Sequence, residues 1–168
     1  MQPLRRIATG AYFVAALLFL ITIVDYLGNA WPFRLGDVNW RYGVMGMVST
    51  YLLSPLLGCL IASATAAWLQ QPRVSRILGV FMWVGAALML TALISFLLNS
   101  IQVRGATAPE ARWVTTTSFL IASAKMLSAA VGLIVLGLGN LQVAAAAAEA
   151  EASAPTKRVS TRPLITNL

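Results

Sequence analysis

The chain has 168 residues, 59% of them hydrophobic and only 10% charged, with a formal net charge of +7. Ordinary soluble domains are nearer half apolar and a quarter charged, so this composition excludes a soluble globular domain and, for most of the chain, disorder. There is no histidine, and Cys59 is the single cysteine. That excludes a His-ligated haem, zinc or copper site, a His general base, an intrachain disulfide, an iron–sulfur cluster and a CxxC redox pair.

Four apolar stretches follow one another, at about residues 7–27, 42–69, 74–98 and 113–143. Each reaches the roughly 20 residues that a helix needs to cross a hydrocarbon core. None alternates with a period of two, which argues against a membrane barrel. Backbone groups in lipid must be satisfied within the segment, which leaves helices. The expected fold is therefore all-α: an integral membrane bundle of four transmembrane helices over residues 1–154, followed by a flexible basic tail over 155–168.

The first stretch begins after Arg5 and Arg6 and ends near Gly28-Asn29-Ala30, a pattern that imitates a secretory signal. Its apolar run is longer than the roughly 7–15 residues typical of such signals, and it reads as a retained span. Asp25, in ITIVDYLG, is the only carboxylate near a span interior. The loop that follows, GNAWPFRLGDVNWR, carries Trp31, Phe33 and Trp40 beside Arg34 and Arg41. Aromatic rings and cationic tips both suit the headgroup layer, so these residues read as an interfacial belt.

In the second stretch Pro55 interrupts YLLSPLLG. It removes one helical hydrogen bond and is expected to kink the helix, with Ser54 satisfying a freed carbonyl. Gly58, Ala62 and Ala66 recur every four residues, a ribbon of small side chains that lets helices approach closely. Cys59 reads as a small packing residue. Gln70, Gln71 and Pro72 then force a tight reversal, which makes the second and third stretches antiparallel neighbours.

Pro109 followed by Glu110 marks the start of the fourth helix, proline in the first turn and acid at the positive dipole end. Residues 144–154, AAAAAEAEASA, have high helix propensity and extend that helix to about Ser153, where Pro155 stops it. Lys125 lies within this stretch. An amine in hydrocarbon costs about 3 kcal/mol on insertion scales, so it calls for a partner. An ion pair or a water-bridged pair between Asp25 and Lys125, joining the first and fourth helices, is the expected solution. Ala124, Ser128 and Gly132 form a second small-residue ribbon, for packing inside the bundle or for contact with another subunit.

Orientation follows from the basic residues. With four spans, Arg5, Arg6, Arg73, Arg76, Lys157, Arg158 and Arg162 share one side, and Arg34, Arg41, Arg104 and Arg112 the other. The positive-inside bias places both termini in the cytoplasm. These charges sit at span ends without clustering, which argues against nucleic-acid binding.

The segment from Asp37 to Gly58, DVNWRYGVMGMVSTYLLSPLLG, resembles the start of the second span in a group of four-span bacterial membrane proteins that includes the cyanobacterial hormogonium polysaccharide secretion protein of the J type. There a Trp-containing loop runs into a Gly-bearing helix with a Pro-Leu-Leu-Gly turn. The resemblance implies four spans and carries no catalytic residues. Members commonly have longer cytoplasmic coiled segments than the one seen here.

No P-loop, dinucleotide fingerprint, serine elbow or paired-acid motif occurs; Gly137 and Gly139 in LGLGN lie in an apolar run without the strand that a nucleotide site needs. The expected role is that of a non-enzymatic accessory or scaffold subunit in a bacterial inner membrane, cytoplasmic or thylakoid-type. Its expected partners are lipids and other integral membrane proteins, including further copies of itself. Photosynthetic and respiratory complexes are natural hosts. No cofactor is expected, although lipid, quinone or pigment can lie against the apolar surface. Two rival roles are a small transporter or channel using Lys125 and the Pro55 bend, and a component of envelope polysaccharide secretion.

Overall fold

The computed structural model describes residues 2–153, with side-chain surroundings from Ile7 onward. The expected tail over 155–168, with Lys157, Arg158 and Arg162, lies outside the described residues. The described residues form five α-helices, and their element order contains no strand: α1 (Gln2–Ala30), α2 (Val38–Tyr51), α3 (Leu53–Trp68), α4 (Pro72–Ala106) and α5 (Arg112–Ser153). A short 3-10 turn, Pro109–Ala111, precedes α5.

Three segments are long and apolar enough to cross a membrane: Ile7–Ala30, Pro72–Ala106 and Pro109–Ser153. A fourth meets the same test only if α2 and α3 are taken together across a bend of 41°. Large apolar side chains such as Phe13, Leu20, Leu88, Ile94 and Val131 point outward. Among water-facing surfaces this would be a large exposed patch, and against lipid it is the ordinary surface of a membrane protein.

The boundaries have local causes. Asp37 caps α2, its Oδ1 accepting from the backbone N–H of Asn39 at 2.8 Å and of Trp40 at 3.4 Å. Leu52 alone separates α2 from α3. Pro55, three residues on, has no N–H to return to Tyr51, so the helical ladder fails there and the axis bends. The α3–α4 reversal is a Schellman motif: Gln71 N–H bonds to Ala66 O at 2.9 Å and Gln70 N–H to Ala67 O at 3.1 Å. Gln70 holds the left-handed position at φ 50°, a place usually taken by glycine, and Pro72 opens the next helix.

Packing is uneven. The α4–α5 contact is the most extensive, α3 leans on both of those helices, and α1 touches α2 and α3 but neither α4 nor α5 at backbone-contact distance. Two buried clusters lie between the helices. In one, Phe96 packs with Leu52, Ala122, Met126 and Ala129. Tyr42 and Phe119 stack against Phe96, at ring-centroid distances of 4.9 Å and 5.4 Å. In the other, Cys59 packs with Met82, Ala86 and Leu133, the small-residue role its position predicts.

Candidate functional site

Small residues set the closest helix contacts. A Cβ at Gly79 would lie 2.8 Å from Leu141 Cγ and 3.1 Å from the Gly137 carbonyl; one at Gly137 would lie 3.3 Å from the Gly79 carbonyl. The two glycines therefore face each other across α4 and α5, backbone to backbone. On the other side of the molecule, a Cβ at Gly58 would come within 3.0 Å of the Ala15 carbonyl and 3.2 Å of the Phe19 ring. Gly58, Ala62 and Ala66 are all buried, as a packing ribbon should be.

A polar cluster is sealed at the α3–α4–α5 junction. Asn140 Nδ2 donates to Ser63 Oγ at 2.9 Å and to the Leu136 carbonyl at 2.8 Å, and Met82 Sδ lies 3.6 Å from it. Ser63 Oγ in turn donates to the Cys59 carbonyl at 2.7 Å. Both residues are buried, so their polar atoms spend their bonding capacity on holding three helices together. The sequence pattern assigns no packing role to Asn140, Gly79 or Gly137. The available signal was an asparagine one helical turn beyond Leu136 within a long apolar run, since such residues usually face a neighbouring helix.

The predicted ion pair does not form within the chain. Asp25 and Lys125 are both exposed, and no ion pair involves either of them among the described residues. The reason is topological: α3 and α4 stand between the helices that carry them, and α1 and α5 share no contact. The Asp25 backbone carbonyl accepts from Asn29 Nδ2 at 2.8 Å.

Ala124 and Ser128 are also exposed, and nothing lies within 4 Å of where a Cβ on Gly132 would stand. That ribbon faces away from the bundle, and the buried stripe of α5 runs instead through Ala122, Met126, Ala129, Ala130, Leu133, Gly137 and Asn140. Of its two expected uses, packing inside the chain is removed. Ser54 also acts differently from expectation. Its Oγ donates across to the Leu18 carbonyl of α1 at 3.1 Å and does not serve its own bent helix.

Pro55 lines an apolar groove of about 480 Å³, walled by Phe19, Ile23 and Tyr26 of α1 and by Phe81, Gly85 and Leu88 of α4. Lys125 is not among its lining residues, so the bend and the lysine do not share this groove.

The loop after α1 is an aromatic surface. Trp31 is 70% exposed, and the rings of Trp31, Phe33 and Trp40 meet edge to face at 5.4 Å and 6.1 Å. Trp40 Nε1 donates to the Ala30 carbonyl at 3.2 Å, and Arg41 donates to the Leu35 carbonyl at 3.0 Å. Arg34 is exposed beside them. Trp40 Nε1 and one Arg41 terminal nitrogen are thus tied to nearby backbone carbonyls and Arg34 faces outward, which suits an interfacial position, while Arg41 Nε is buried without a partner among the described residues.

No protein-family model, no curated protein and no solved structure matches this chain.

Proposed function

We propose that this chain is a non-enzymatic subunit of a bacterial inner membrane, spanning it four times with both termini in the cytoplasm, and that it works by docking against other membrane proteins. In this reading the bent pair α2–α3 forms one span, and the Trp31–Arg41 loop lies at the outer interface. The observation that carries the proposal is the outward face of α5. Ala124, Lys125 and Ser128 are exposed there, and the partly covered Gly132 has open space where a side chain would stand. Hydrophobicity cannot drive helices together in lipid, so close approach and polar contacts are what an interface must supply. A lysine turned toward hydrocarbon is costly until something of opposite charge or polarity meets it.

Purification in mild detergent followed by native mass spectrometry tests this. The wild type is expected to carry partner chains that Lys125→Met loses while remaining monodisperse and helical. A wild-type chain recovered reproducibly alone would overturn the reading.

A further inference from the structure

We infer that the partner of this α5 face is a second copy of the same chain, joined head to tail through an ion pair between Lys125 of one copy and Asp25 of the next. The inference rests on the docking reading above and names its occupant.

Both side chains are charged, both are exposed on segments apolar enough to cross a membrane, and they lie on helices that do not touch within one copy. Their depths agree. Phe19 of α1 meets Phe81 of α4 at 5.5 Å between ring centroids, and Gly79 of α4 faces Gly137 of α5. Counting along the helices from those contacts at about 1.5 Å per residue sets Asp25 level with Ala129, roughly 6 Å from Lys125. The four-carbon stem of a lysine spans such an offset.

Each charge alone is unfavourable in hydrocarbon, and each removes the other's cost when two copies meet. The surfaces around them permit the approach. Asp25 is followed one turn later by Gly28, which has open space around it, and Lys125 is followed by Ser128 and Gly132. Copies inserted with the same orientation bring α1 and α5 together antiparallel, the arrangement that leaves both charges at matching depth. Because the two patches differ, the contact is heterologous, and it repeats from copy to copy into a ring or a row.

Charge reversal tests this in lipid nanodiscs or mild detergent. Asp25→Lys alone and Lys125→Asp alone should each associate at least about tenfold more weakly than wild type, since each sets like charges together. Mixing the two variants should restore association, because the lysine introduced in one then meets the aspartate introduced in the other. In a Cys59→Ala background, differently tagged Asp25→Cys and Lys125→Cys chains should join through a short bis-maleimide, and neither variant should join to itself.

Unchanged association in the single reversals, no recovery on mixing, or equal cross-linking of Asp25→Cys to itself would each overturn the inference. If copies stay apart while Lys125→Met still strips a different protein, this inference falls and the docking reading stands. If wild type carries neither copies nor another protein, both fall.

Discussion

The α4–α5 hairpin and the attachment of α1 solve the same problem with different chemistry. Between α4 and α5 two glycines bring backbones into contact, Asn140 of α5 donates to Ser63 of α3, and Phe96 of α4 stacks with Phe119 of α5 and Tyr42 of α2. α1 has a close point, Ala15 against Gly58, and is tied by side-chain hydrogen bonds that include Ser54 to Leu18, Tyr12 to Gln71 at 3.0 Å, Asn29 to Tyr51 at 3.0 Å and Trp40 to the Ala30 carbonyl. Toward α4 its Phe19 ring meets that of Phe81, and Ile23 and Leu88 line the open groove between the two helices. In water such apolar surfaces would be driven shut. In lipid, acyl chains fill the space equally well, so only small residues and hydrogen bonds distinguish a closed contact from an open one.

Substitution at the glycines should break this contrast most sharply. Gly137→Leu, with Trp83 Cδ1 already 3.2 Å from its Cβ position, should cost about 3 kcal/mol or more in reversible detergent unfolding and separate α4 from α5. Gly58→Leu should instead loosen α1 alone, seen as faster hydrogen exchange in α1 with α4 and α5 still protected. Equal, global effects from the two substitutions would mean that the hairpin is not the more rigid unit. A double-mutant cycle between Asn140→Ala and Ser63→Ala should give a coupling of about 0.6 to 1.7 kcal/mol, the range measured for hydrogen bonds between membrane helices. The smallest expected effect is at the α3–α4 turn. Gln70→Gly should stabilise by about 0.5–1 kcal/mol, a rise in thermal midpoint, because glycine adopts the left-handed conformation without the side-chain penalty.

Much of this architecture was readable in the chain itself, and the unreadable part has a common cause. Apolar runs located every long helix, because hydrocarbon tolerates only satisfied backbones. The runs underestimated helix length: α4 continues through Ser100, Gln102 and Arg104 to Ala106, since hydropathy reports the solvent and not the hydrogen-bond ladder. Pro55 announced the bend, and the Gly58–Ala62–Ala66 ribbon its own burial.

Facing was the part that stayed hidden. In a soluble protein the polar side of a helix marks its outside, whereas here interior and exterior are both apolar. On α5 two small-residue stripes compete, one through Ala124, Ser128 and Gly132, the other through Ala122, Ala129 and Gly137, and spacing alone does not rank them. The second won because Gly79 opposes Gly137, a pairing that depends on the register of two helices at once. Lys125 went outward with the losing stripe, on a helix that shares no contact with the one that carries Asp25.

The length of α5 has a mechanical consequence. Its 42 residues make a rod of about 63 Å, roughly twice the thickness of a hydrocarbon core. A partner that met Glu149 and Glu151 near its far end would be held at a set distance along the rod and at a set azimuth about it. Inserting one alanine into the Ala144–Ala148 run would swing that contact by about 100° and lift it by about 1.5 Å, so the helix acts as ruler and protractor together.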